Sequence, residues 1–219
     1  MAQNNDKKQK RIGIWGGSFN PPTHAHAELA SYVADKAGLD RLHWLVCPHN
    51  PLKDEMTLAP FHHRMAMVGQ VIVDKPGMIA DDTEQRLGRS WTATTLKHLR
   101  TTQFPDDALF FVMGGDNWQQ FHLWGDDRAD NFDYASFIIL RRPGFEGLEA
   151  CLSSREFGAR QVANISELKP SGTWCILDNP VFDMSATEVR ASLQQGKRSP
   201  FIAPETQTYI EANGLYSVK

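Results

Sequence analysis

The strongest constraint on the fold is an alternation of short apolar runs with stretches of helical spacing. Residues 11–15 ("RIGIW") and 42–47 ("LHWLVC") are brief, apolar and bounded by turn residues, the pattern of buried strands. Between them, residues 24–37 carry alanine, leucine and valine at helical spacing and stop at Gly38. A strand, a helix and a second strand of one sheet connect almost always in parallel and with right-handed crossover. The alternation continues with helices predicted over 61–73 and 92–104, and strands over 108–113 ("ALFFVM"), 135–140 ("ASFIIL") and 173–177 ("TWCIL"). Two closing helices are predicted over 185–194 and 204–213, each followed by glycine, the second opened by proline. An α/β fold follows: an open, mostly parallel sheet with helices on both faces.

With 219 residues the chain suits one domain. Residues 1–10 read as a polar, disordered lead-in, 11–219 as the single domain, and 144–172, which lacks clean periodicity, as a variable excursion from it. A net charge of -3 offers no general attraction to nucleic acid. No apolar run approaches the ~18–20 residues of a membrane helix, and no signal-peptide core follows the lysines near the start. Cys47, Cys151 and Cys175 are scattered and odd in number, which fits reduced thiols in a cytoplasmic protein. His43, His49, His62, His63, His98 and His122 form no metal-ligand pair such as H-E-x-x-H, so no protein metal site is expected. Trp15, Trp44, Trp91, Trp118 and Trp174 read as core or rim packing, and the pairs Asp81–Asp82 and Asp126–Asp127 as solvated turns.

Open parallel sheets bind ligands beyond the carboxyl ends of their strands, which directs attention to the loops that follow strands. The first is "GGSFNPPTHAH" (16–26). Gly16 and Gly17 permit a ligand to approach the backbone, or positive φ. Pro21 and Pro22 hold the path into the helix extended. Thr23 is the expected N-cap, which places His26 at the third helical position. Residues three apart share a face, so Thr23 and His26 point together at the helix end that favours anions, and His24 does not. The segment is neither a P-loop nor a G-x-G-x-x-G fingerprint; alone it reads equally as a glycine turn and a capped helix. A second helix mouth lies in "NPVFDMSATEVRASL" (179–193). Ser185 and Glu188 form a capping box, and Thr187 and Arg190 share a face where a guanidinium can grip phosphate oxygens. Two such cradles in one small domain suggest a polyphosphate between them.

"GGSFNPPTHAH" resembles the GG(T/S)F(D/N)PxHxGH segment of nucleotidyltransferases with the (H/T)xGH signature, and "MSATEVR" resembles their ISSTxxR motif. With "MGGDN", "FHLW", "LRRPG" and "TYIEANGLYS", the chain is most similar to the bacterial nicotinate-nucleotide adenylyltransferases, from Ile12 to Tyr216. The resemblance implies a Rossmann-like fold and adenylyl transfer from ATP to nicotinate mononucleotide in NAD biosynthesis, by direct in-line attack and without a covalent enzyme intermediate. It implies that His26 donates to the α-phosphate with Thr23 beside it, and that Gly16, Gly17, Ser18 and Phe19 form the ATP loop. Ser185, Thr187 and Arg190 would hold the outer phosphates, assisted by Lys53, with Asp116 as ribose acceptor and Arg142 as a further ATP-site residue. Thr92 would mark the backbone amides that receive the nicotinate carboxylate, and Trp124 the ring that stacks on the pyridine. Mg²⁺ would arrive on ATP. ATP and nicotinate mononucleotide are thus the expected partners, and a homo-oligomer is compatible. Ala25 departs from the glycine usual in the motif. Within the superfamily, nicotinamide mononucleotide, phosphopantetheine and FMN are alternative acceptors; outside it stands a nucleotide-binding regulator without catalysis.

Overall fold

The computed structural model describes residues 8–49 and 58–217. Six strands form one sheet: β1 (Arg11–Gly17), β2 (Arg41–Val46), β3 (Met78–Asp81), β4 (Ala108–Gly114), β5 (Ser136–Leu140) and β6 (Trp174–Leu177). Their order is β3-β2-β1-β4-β5-β6, and every neighbouring pair is parallel. This is the doubly wound, Rossmann-like arrangement, and its strand order reverses between β1 and β4. Ile12 lies opposite Leu109 and Ile14 opposite Phe111, so the glycines that end both strands open side by side at the switch point.

Nine α-helices are seen among the described residues: α1 (His24–Ala37), α2 (Phe61–Ile72), α3 (Thr83–Leu87), α4 (Thr92–Thr102), α5 (Gly115–Gln119), α6 (Asn131–Tyr134), α7 (Leu152–Glu156), α8 (Ala186–Gln194) and α9 (Pro204–Ala212). Strand alternation divides the core into two layers. Leu109, Phe111 and Met113 of β4 join Phe137, Trp118, Phe132 and Trp174 on one face. Ala108, Phe110 and Val112 join Trp44, Val33 of α1 and Val68 of α2 on the other. A third cluster locks Met67 of α2 to Val189, Leu193 and Ile210 of α8 and α9, which fixes the second helix mouth to the body. Burying one such aliphatic or aromatic side chain contributes about 1.5–3 kcal/mol.

The predicted elements recur with ends shifted by one or two residues. β3 and α3 had no expectation: four residues, three of them only half-buried, and then five residues carry too little periodicity. Asp81 is not in a solvated turn. It is 6% exposed and 2.8 Å from His43 Nδ1. Burial alone would raise its carboxyl, but the hydrogen bonds from His43 and Thr83 outweigh burial and hold it below the usual range. Residues 144–172 fold onto both core layers, with Leu168 buried in the second and the 148–157 stretch in the first. Leu148 and Phe157 are buried there, Trp174 Nε1 donates to Phe157 O (2.8 Å), and Trp118 Nε1 donates to Ser154 Oγ (2.9 Å). All three cysteines are free thiols, and no described helix is long and apolar enough to cross a membrane.

Candidate active site

Beyond the carboxyl ends of β1 and β4 opens a cleft of about 570 Å³, walled by the 16–26 loop on one side and the start of α8 on the other. Gly16 and Gly17 do not have positive φ. A Cβ at Gly16 would sit 2.9 Å from the Phe111 ring, and one at Gly17 2.9 Å from the Phe19 ring. Their need for glycine therefore comes from aromatic rings packed behind the loop. Phe19 adopts φ 45°, and its ring packs against Trp15, Trp44 and His26 at centroid distances of 6.0, 5.0 and 5.4 Å. That burial holds a bulky residue in a sparsely populated backbone region.

Thr23 is the N-cap of α1 and is buried, with His26 at the third helical position. The Thr23 N–H donates to His26 Nδ1 (3.1 Å), and Thr23 Oγ1 lies 2.8 Å from the same atom. Because Nδ1 accepts from the backbone, the neutral ring carries its proton on Nε2. The half-buried ring lines the cleft, while His24 is exposed. Ala25 also lines the cleft, its methyl group in the place of the motif's usual glycine hydrogen.

At the second mouth Ser185 caps α8. Its Oγ accepts from the Glu188 N–H (3.2 Å) and donates to Glu188 Oε2 (2.9 Å), and its own N–H donates to that oxygen (2.8 Å). This is the predicted capping box. Arg190 Nη2 donates to Thr187 Oγ1 (3.1 Å), and Nη1 donates to Asn20 O (2.9 Å). The guanidinium thus spans both mouths. Across the cleft, Arg142 Nη1 is 3.0 Å from Asp116 Oδ2, while Asp116 Oδ1 is buried with no hydrogen-bond partner among the described residues. A Cβ at Gly114 would run into that oxygen and into Arg142 Cδ. Lys53 lies outside the described residues.

A second cavity of about 350 Å³ shares Gly16, Gly17, Ser18 and Asn117 with the first. Thr92, the first residue of α4, and Trp124 line it, with Trp91 exposed at its edge. Trp124 packs on Phe121 at 5.1 Å. Cys47 also faces this cavity, but burial pushes its thiol up to about 12, so it is no nucleophile at neutral pH.

Three residues that hold the site escaped the sequence reading. Arg64 of α2 is fully buried, and among the described residues its guanidinium donates only to backbone carbonyls: Ala59 (2.8 Å), Ser18 (2.8 Å), Cys47 (2.6 Å) and Pro48 (3.0 Å). It ties the loop after β1 to the loop after β2. Asn20 Oδ1 accepts from Ala59 N–H (3.0 Å) and Tyr216 OH (2.7 Å), which anchors the far end of the chain to the first loop. Glu84 stands in the wall of the second cavity. An asparagine before the two prolines was the one available signal; an arginine that binds carbonyls leaves none.

The cytidylyltransferase-like family model matches residues 14–192. The probable nicotinate-nucleotide adenylyltransferase of Rhizobium meliloti is 37% identical over 188 residues, 83% of this chain and 97% of that protein. The one of Citrifermentans bemidjiense is 30% identical over 217 residues, 94% of this chain and 98% of its own. In fold, the chain resembles Plasmodium falciparum nicotinic acid mononucleotide adenylyltransferase complexed with NaAD, with a TM-score of 0.73, 23% identity, and 95% and 98% of the two chains covered. The two mouths at the switch point and the relatives agree: the chain belongs to the cytidylyltransferase-like family, among the nicotinate-nucleotide adenylyltransferases.

Proposed function

We infer that the chain transfers the adenylyl group of ATP to nicotinate mononucleotide, forming deamido-NAD and pyrophosphate in NAD biosynthesis. The observation that carries this reading is the joined pair of cavities at the switch point, meeting across Gly16, Gly17 and Ser18. The larger, with its two helix mouths, suits a nucleotide triphosphate; the smaller, with Thr92 and Trp124, suits a flat ring bearing an anionic group. The substrate's own 5′-phosphate attacks the α-phosphorus in line, one P–O bond forms as the bond to pyrophosphate breaks, and no enzyme nucleophile takes part. Catalysis is then positioning and stabilisation of developing charge. His26 presents Nε2–H to the α-phosphate oxygens, and Thr23 fixes that tautomer through Nδ1. Arg190 and Thr187 meet the outer phosphates, together with the amides of the α8 mouth. The Ser185 hydroxyl is engaged in the capping box, so its part is to build that mouth. Gly16, Gly17, Ser18 and Phe19 shape the loop, and Lys53 adds positive charge. The unpartnered Asp116 Oδ1 is suited to accept a ribose hydroxyl, with Arg142 holding its carboxylate.

No group of three or more His, Cys, Asp or Glu among the described residues could hold a metal. The cleft offers hydroxyls, guanidinium groups and one unpaired carboxylate oxygen, a donor set that fits Mg²⁺ carried mainly by phosphate and water. When bound, Mg²⁺ supplies charge neutralisation on the triphosphate. The partners on this reading are ATP and nicotinate mononucleotide, and the setting is the cytoplasm. Pyrophosphate release from ATP, measured with nicotinate mononucleotide and with each rival acceptor, tests it; preference for another acceptor overturns it.

A further inference from the structure

The second cavity contains a group to which the reaction above gives no task. Glu84, in α3, is 5% exposed, lines the cavity, and its Oε2 has no hydrogen-bond partner among the described residues. Its other oxygen lies 3.5 Å from Thr95 Oγ1, one turn into α4, so the carboxyl sits beside the helix mouth that Thr92 opens. Ser90, also in the wall, stands beside the Glu84 carboxyl. The charged side chains that line this cavity are Glu84 and Asp127, both acidic; its described lining contains no lysine, arginine or histidine. An anionic ring substituent drawn to the α4 amides therefore finds no cation there, and finds a carboxyl.

We propose that Glu84 is an acid-recognition residue: it holds a proton when nicotinate mononucleotide binds and donates it in a hydrogen bond to the ring carboxylate, selecting the acid over the amide form of the substrate. This rests on the nicotinate reading of the site. The proton moves from solvent to Glu84 Oε2 on binding and no covalent bond changes. An ionised Glu84 would repel the incoming carboxylate, whereas the neutral acid adds a hydrogen-bond donor to a described lining that holds no cation.

The surroundings support the protonated form. Burial pushes the Glu84 carboxyl up to about 7, and the negative charge of Asp81 adds to that; contacts with Cys47, Ser90 and Thr95 oppose it. Asp81 is itself paired with His43. Arg64 points its guanidinium at the carbonyls of Ser18, Cys47 and Pro48 and makes no bond to Glu84. The Cys47 thiol is neutral. Asp127, on the same cavity, adds further negative potential when ionised. A pyridinium alone would act in the opposite sense and favour the ionised carboxylate, so the direction of proton exchange on binding separates the two roles.

Titration calorimetry near pH 7, in two buffers of different ionisation enthalpy, reads this directly in the whole chain. Nicotinamide mononucleotide carries the same 5′-phosphate and pyridinium and serves as the reference ligand. Wild type is expected to take up about half a proton more with nicotinate mononucleotide than with the reference, since Glu84 goes from half to fully protonated. Between pH 7 and 8 its Kd for the acid ligand should rise about fivefold, as the protonated fraction falls from one half to about one tenth. Glu84→Gln keeps a donor but cannot titrate; it should remove the difference in proton uptake and flatten the pH profile. Equal exchange for the two ligands, proton release with the acid, or uptake that persists in Glu84→Gln each overturns the proposal. The two-ligand comparison in wild type decides the matter even if the variant does not fold. Binding of nicotinate mononucleotide without the proton difference overturns this proposal alone; failure to adenylylate it overturns the function reading, and the proposal with it.

Discussion

At the scale of the residue, the site depends on which atoms carry protons. His26 accepts at Nδ1 from the Thr23 N–H, so the proton of its neutral ring sits on Nε2, and the ring lines the cleft. His26→Ala removes one donor from developing negative charge, and such losses lower turnover by about 10²–10³-fold. The fold loses one cap hydrogen bond, roughly 1 kcal/mol. Steady-state kinetics beside a thermal melt should therefore show a large fall in kcat with a Tm shift of only a few degrees; near-normal turnover would remove His26 from the chemistry. Glu84 makes a stability prediction independent of substrate. Its folded pKa, raised to about 7 from 4.5, means the folded state binds the extra proton between those values. Stability is then fully present below about pH 4.5 and is lost as pH rises through 7. Urea unfolding at pH 5 and pH 8 should show a drop in wild type that is absent in Glu84→Gln, and equal drops would contradict the assigned burial effect.

At the scale of the element, the site is made by helix mouths and by the links between them. Arg64 should be a sharp test of those links. Arg64→Met leaves up to four carbonyls without their donor, and even one buried unsatisfied carbonyl costs about 1–3 kcal/mol. A loss of about 2 kcal/mol corresponds to a Tm fall of roughly 4–8 °C in a chain of this size. Arg64→Lys should rescue little, because an ammonium cannot reproduce the planar fork; full rescue by lysine would show that only the charge matters. Ser185→Ala removes the α8 cap, for about 1 kcal/mol, and should raise KM for ATP more than it lowers kcat. A change in kcat alone would argue against a binding role for that mouth. These elements also mark what the sequence could disclose. β1, β4 and α1 were legible because a buried parallel strand is a continuous apolar run and a capped amphipathic helix declares both ends. β3 and α3 were not, because a four-residue strand with three half-buried positions and a five-residue helix carry no period. Thr23, His26, Thr187 and Arg190 were legible through helix register. Arg64 was silent because its partners are main-chain carbonyls of segments up to 46 positions away, and Glu84 because a buried acid looks like any acid until its neighbours are known.

At the scale of the whole molecule, the doubly wound sheet sets two cavities side by side where its strand order reverses, and the glycine-rich end of β1 forms the shared floor. The closing helices are part of this architecture: α8 and α9 join α2 through one apolar cluster, and Tyr216 bonds Asn20 in the first loop. Removal of the chain from residue 214 onward should thus loosen the ATP side, seen as a raised KM for ATP, while the pyridine side keeps its affinity; an unchanged KM for ATP would show the anchor to be dispensable. The most direct measurement is pyrophosphate release from ATP with nicotinate mononucleotide, nicotinamide mononucleotide, phosphopantetheine and FMN as separate acceptors. Adenylyl transfer to the nicotinate acceptor predicts the highest kcat/KM with nicotinate mononucleotide. A higher value with any other acceptor, or release with none of them, would contradict it.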